Sequence, residues 1–211
     1  MSIVANLKAV RANIQSAMAK RPKKMDHKVS LVAVSKTKPI EMIQSAYDFG
    51  HREFGENYMQ DLSHKASVLP TDIQWHFIGT LQSNKVKMLA DIKNITVETV
   101  DRLKILKVLN KVAANRDSPI KIMLQVNTSG EDSKSGCSSE ECLDLAKTVI
   151  NDCQKLELVG LMTIGRSDCD EDFQRLVDCR ESVCKTFNFK KDALFLSMGM
   201  SADYPKAIQY G

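Results

Sequence analysis

Leu31-Val32-Ala33-Val34-Ser35-Lys36-Thr37-Lys38-Pro39 begins as an apolar run and ends on cations and a proline. With Val29 ahead of it, the run suits a strand over 29–35 buried on both faces, as in a parallel sheet covered by helices. Pro39 cannot continue a ladder. A helical pattern follows at once over 40–49, with Met42, Ile43, Ala46 and Tyr47 at helical spacing. Lys36 therefore sits where a buried strand ends and a helix begins. Parallel α/β folds bind ligands at that end of their strands. A lysine there is a phosphate contact, a solvated end-of-strand charge, or an amine that forms an imine. Lys38 competes for the role, and strand alternation points both the same way.

Outward from this stretch, strand-like and helix-like segments alternate. An opening helix (about 2–21) keeps Ile3, Leu7, Val10, Ile14 and Ala17 on one face. After the first strand and helix, Arg52-Glu53-Phe54 reads as a short strand, and a helix runs through Tyr58, Leu62 and Ala66 to a break at Pro70. Residues 73–78 form a third strand, 82–92 a helix and 95–100 a fourth strand. Asp101 is expected to cap a helix with Ile105, Leu109 and Val112 inward. Residues 120–126 form a fifth strand, and 127–136 a polar loop after it. Ser138 and Glu141 have capping-box spacing for a helix that buries Cys142, Leu145, Val149 and Cys153. Residues 156–162 form a sixth strand, then a helix lined by Phe173, Leu176, Val183 and Phe187. Residues 193–196 form a seventh strand, and a last helix begins near Ser201.

A helix followed by seven βα units with short connections predicts an α/β fold, a (β/α)8 TIM-type barrel with an extra N-terminal helix, in a single domain over 1–211. Closure needs an eighth strand, and the sequence supplies seven. The first strand–helix turn has no glycine, which argues against a dinucleotide fold. Neither a Walker A sequence nor HExxH is present.

Charged residues make up 27% and hydrophobic residues 43%, with a net charge of +4. That composition suits a globular protein and calls for neither nucleic acid nor membrane. The six cysteines include no CxxC pair, and they read as reduced thiols of a cytoplasmic protein rather than a zinc site or disulfide set. The first 25 residues carry six Lys or Arg and no acid, a faint likeness to a mitochondrial presequence. The periodic apolar face favours a structural helix instead.

The strand ends are rich in lysine, amide, hydroxyl and glycine: Lys36, Gly55-Glu56-Asn57, Gln82 to Lys85, Asn127, Met162 to Gly165, and Ser197 to Ser201. Paired carboxylates for glycoside hydrolysis are not apparent, nor is a metal cluster; His76 alone reads as a hydrogen-bonded core residue. Gly199 to Ser201 at a helix start suits a phosphate. A lysine facing a phosphate site suggests an aldehyde-bearing phosphate ester held as an imine, the way pyridoxal 5'-phosphate is bound.

VSKTKP, FGENYMQ, WHFIGTLQSNK, QVNTSGEDSKSG, GLMTIG and LSMGMSADY occur in this order from Val34 to Tyr204. Together they resemble the pyridoxal phosphate homeostasis protein family, of the YggS/PROSC type, over essentially the whole chain. The resemblance implies a barrel like the N-terminal domain of alanine racemase, with the cofactor held as a Schiff base on Lys36. Asn57 and Met162 match residues near the cofactor ring, and Ser201 matches a phosphate contact. It also implies a non-catalytic role in storing or delivering the cofactor, with pyridoxal phosphate-dependent apoenzymes as partners. The expected protein is a monomer in the cytoplasm, with a mitochondrial pool as the other location.

Thr80 departs from the family pattern at a variable position. Family members also continue past the position of Gly211 with a segment like GSTxVRxGSxIFG. That segment supplies the last strand, further phosphate contacts and an arginine beside the ring. The resemblance thus implies a barrel without its last strand, open edges on the first and seventh strands, and weaker cofactor binding. Each phosphate hydrogen bond lost is worth roughly 1.5–3 kcal/mol. The alternatives are a racemase-like enzyme and a truncated scaffold that no longer binds the cofactor.

Overall fold

A computed structural model describes residues 2–22, 28–190 and 193–211. Lys23 and Lys24, part of the basic N-terminal count, lie outside the described residues. Seven strands form one parallel sheet in sequence order: β1 (Ala33–Val34), β2 (Glu53–Glu56), β3 (Gln74–Phe77), β4 (Ile95–Val100), β5 (Ile120–Gln125), β6 (Leu156–Met162) and β7 (Phe195–Ser197). The helices are α1 (Ile3–Ala19), α2 (Ile40–Asp48), α3 (Met59–Val68), α4 (Leu103–Ala113), α5 (Ser139–Asp152), α6 (Asp170–Thr186) and α7 (Tyr204–Ala207).

The core is the seam between strands and helices. α3 packs on β2, α5 on β5 and β6, and α6 on β6 and β7. Phe54, Phe77, Ile122, Leu124, Leu161, Leu62, Leu109, Ala146 and Leu176 share one buried cluster. The opening helix buries Leu7, Ile14 and Ala17 and packs on α2 and α7, as its apolar stripe predicts. Among the described helices, none is long and apolar enough to cross a membrane.

The sheet curls. Ser197 on β7 donates to Glu98 on β4 at 2.5 Å, although three strand spacings separate them in the sheet. A flat sheet would hold those strands roughly 14 Å apart. Residues from the β1 side (Val29 to Val32) and from β7 (Phe195 to Ser197) line one interior cavity of about 390 Å³. This is a barrel wall with its two margins unpaired among the described residues.

Several expectations change. The first strand pairs over Ala33–Val34 alone, not 29–35, because β2 is its only neighbour among the described residues; Val29 to Val32 line the cavity instead. The helix expected over 82–92 is a single 3-10 turn, Val86–Leu89. The N-cap of α4 is Arg102, with no side-chain cap bond, rather than Asp101. The inward face of α3 is Met59, Leu62 and Lys65, while Tyr58 is exposed. The Ser138–Glu141 capping box forms in full. All six cysteines are free. A contact with Cys137 and burial push the Cys142 thiol well above its ordinary range.

Candidate functional site

The parallel ladder between β1 and β2 pairs Val34 with Gly55 and continues through Ser35 N–H donating to Gly55 O at 2.8 Å. Lys36 and Asn57 each lie two residues past the Val34–Gly55 pair, beyond the ends of the neighbouring strands β1 and β2. The chain then turns sharply: Lys38 N–H donates to Ser35 O at 3.0 Å, and Thr37 adopts φ +61°. A left-handed conformation at a β-branched residue is uncommon and costs about 1–2 kcal/mol. It also breaks strand alternation. Lys36 and Lys38 are both exposed, and Lys38 lines an apolar groove with Ile3, Leu7, Val10 and Met42 on the α1–α2 side.

Beneath this turn lies a buried polar cluster. Glu56, fully buried, accepts from Ser35 Oγ at 2.7 Å and from Lys65 Nζ at 2.6 Å. Lys65 Nζ also donates to Ser35 O at 2.9 Å. The Oδ1 atom of Asn57 is buried with no hydrogen-bond partner. Gly79, at the end of β3, abuts Asn57; a Cβ there would fall 1.9 Å from Asn57 O, so only glycine permits this approach.

The opposite corner is formed by the ends of β6 and β7. Met162, buried at the last position of β6, pairs in register with Ser197 of β7 and Gln125 of β5. Beyond β7, Gly199 takes φ +83°, and a Cβ there would lie 2.7 Å from the Ala207 side chain. Asp203 then fixes the loop: its carboxylate accepts from Met200 N–H at 2.6 Å and Asp168 N–H at 2.9 Å. Ser201 stands exposed between Gly199 and Asp203. The loop after β6 is fastened by Asp172, which accepts from Arg166 N–H at 2.7 Å and Arg166 Nη2 at 2.8 Å. Burial alone would raise Asp172, but the bonds from Arg166 outweigh it and hold the carboxyl below its ordinary value of 3.8.

Inside the curl, His76 Nδ1 lies 2.5 Å from Glu98 Oε1, so His76 is a hydrogen-bonded interior residue, as expected. No group of residues able to hold a metal is present among those described. Lys36, Asn57, Met162 and Ser201 all stand at the C-terminal end of the sheet. Lys36 and Asn57 form one corner and Met162 and Ser201 the other, with no direct contact between the pairs. Residues 5–210 match the alanine racemase N-terminal domain family. The human pyridoxal phosphate homeostasis protein is 43% identical, covering 97% of this chain and 80% of the human one. This chain belongs to the pyridoxal phosphate homeostasis protein family.

Among solved structures, PipY of Synechococcus elongatus with PLP bound is similar over 100% of this chain and 94% of its own, with a TM-score of 0.79 and 28% identity. An alanine racemase from Clostridium difficile matches 51% of its length at a TM-score of 0.70 and 13% identity, a likeness of fold alone. The residues of this homeostasis-family chain fit a bound pyridoxal phosphate. An exposed amine follows β1, and an unpartnered buried carbonyl follows the neighbouring β2. A glycine turn with an exposed hydroxyl stands at the other. The Glu56–Lys65 pair escaped the sequence reading, and the signal was faint. Lys65 lies three residues after Leu62, on the stripe that faces inward, where a cation is rare.

Proposed function

We propose that this chain binds pyridoxal 5'-phosphate and serves in its homeostasis, holding and delivering the cofactor without turning over a substrate. The observation that carries this reading is Lys36, exposed on a strained turn past the end of β1, with the unpartnered Asn57 Oδ1 past the end of the neighbouring β2. The relatives' shared name and the PLP-bound PipY support it. When bound, the cofactor would supply an aldehyde, and Lys36 would be the amine that holds it. Asn57 would offer its unpartnered Oδ1, buried Met162 an apolar contact beside the ring, and Ser201 its hydroxyl to the phosphate. Recipient apoenzymes, a monomeric state and a cytoplasmic setting with a mitochondrial pool belong to the same proposal.

The test is the absorption spectrum of the purified chain with pyridoxal phosphate, before and after borohydride reduction, with peptide mapping of the product. The reading expects a reducible band and an adduct on Lys36 that Lys36→Ala removes. A folded protein with no band, or a band unchanged by Lys36→Ala, overturns it. Turnover of a free amino acid by the loaded protein would move the assignment to an enzyme.

A further inference from the structure

Ser35, the residue before Lys36, is held through each of its polar groups. Its N–H donates to Gly55 O, and its hydroxyl donates to Glu56. Its carbonyl accepts from both Lys38 N–H and Lys65 Nζ. Two of these anchors belong to the Glu56–Lys65 ion pair, whose side chains are 0% and 7% exposed. An ion pair this deep is a poor stability device, since apolar groups of equal volume usually serve as well. It is not even fully satisfied: Glu56 Oε2 has no partner. What the pair does have is directionality. It fixes the carbonyl on which the strained Thr37 turn closes, and that turn stands between Lys36, just past the end of β1, and Lys38, which lines the α1–α2 groove.

We propose that the buried Glu56–Lys65 pair is a positioning device that fixes the Ser35–Lys38 turn and thereby selects Lys36 over Lys38 as the amine presented to an aldehyde-bearing phosphate ester. The inference rests on the role given to Lys36 above. Neither Glu56 nor Lys65 touches the ligand. Both act through the backbone of Ser35. Without them the Ser35 carbonyl keeps only the Lys38 amide, the left-handed Thr37 relaxes toward extended geometry, and the two lysines regain the common direction of strand alternation.

The experiment compares wild type, the double variant Glu56→Gln/Lys65→Met and the single variant Ser35→Ala. Each is incubated with pyridoxal 5'-phosphate, reduced with borohydride over a time course, and mapped by peptide mass spectrometry. The double variant removes both charges together, which avoids leaving one buried and unpaired. Ser35→Ala leaves the ion pair intact and removes only the hydroxyl anchor, so it keeps the test alive if the double variant does not fold. Wild type is expected to carry its adduct on Lys36. The double variant is expected to form adduct about tenfold more slowly, as small misplacements of a reacting group do, and to divide it between Lys36 and Lys38. Ser35→Ala is expected to shift the same ratio by less. A merely structural pair would lower the yield without moving the adduct. A Lys36-only adduct at wild-type rate in the folded double variant, or in Ser35→Ala when that alone folds, overturns the proposal. Absence of any Lys36 adduct in wild type is a separate result, which overturns the reading on which the proposal rests.

Discussion

Strand β4 is buried at all six positions, while β1, in the same sheet, pairs over two residues and leaves Val34 48% exposed. At the other margin, Phe195 of β7 is 62% exposed. The central strands have a neighbour on each side and helices on the outer face, so their apolar residues are fully enclosed. Among the described residues the marginal strands have one neighbour each, and polar groups fix the geometry of their ends: Glu56 and Lys65 under β1, and Asp172 and Asp203 around the loops after β6 and β7. The candidate site occupies the margins. The centre supplies rigidity, and the margins supply amines, amides and hydroxyls whose backbone is fixed by buried carboxylates rather than by apolar packing.

The largest expected effect sharpens this contrast directly. Leu124, fully buried on β5, should cost about 2–5 kcal/mol when changed to Ala, the range for core leucines. Phe195→Thr on β7 should change stability by no more than about 0.5 kcal/mol, as exposed positions do. Urea unfolding of both variants measures the difference. Equal losses would mean that the β7 margin is covered in solution and that the contrast between centre and margin is wrong.

The same contrast explains what was legible beforehand. Residues 95–100 and 156–162 are readable as strands because short runs rich in apolar or β-branched residues between helix-like segments admit little else, and the structure matches both. The marginal strands were drawn too long or out of step: 29–35 against Ala33–Val34, and 193–196 against Phe195–Ser197. Their extent depends on which neighbours pair with them, which no local pattern encodes. At the site, a lysine ending a strand was visible in the residues themselves. Asn57, Met162 and Ser201 were legible only through the family motifs, since nothing in an asparagine, a methionine or a serine announces a cofactor. The Glu56–Lys65 pair was hidden because a lysine on a helix is read as solvated until the fold shows which face it occupies.

An intermediate effect probes the fastening of the β6 margin. Asp172→Asn should cost about 1.5–3 kcal/mol, the range for a buried charged hydrogen-bond acceptor. Its pH dependence identifies the cause. The folded-state value lies below the ordinary 3.8, so this contribution is complete above that value and is lost as the pH falls below it. Wild type should therefore lose its advantage over Asp172→Asn on acidification, with the two unfolding curves converging below about pH 4. A gap that persists undiminished at low pH would mean that Asp172 acts by shape rather than by charge.

The smallest effect returns to the well-packed part of the molecule. Ser138 caps α5, accepting from Glu141 N–H at 3.1 Å, while Glu141 Oε2 accepts from Ser138 N–H at 2.8 Å. Ser138→Ala should cost about 1 kcal/mol, and Ser138→Asp should restore most of it, because a carboxylate accepts the same amide and suits the helix N-terminus. The cap lies just past the loop after β5, away from the Lys36 turn. Adduct formation at Lys36 should accordingly be unchanged in Ser138→Ala at temperatures where the protein stays folded. A stability loss without a change at Lys36 would separate global stability from the presentation of the amine. If Ser138→Ala also slowed adduct formation, the start of α5 would be coupled to the Lys36 turn through the sheet, and the centre of the sheet would be more than a rigid support.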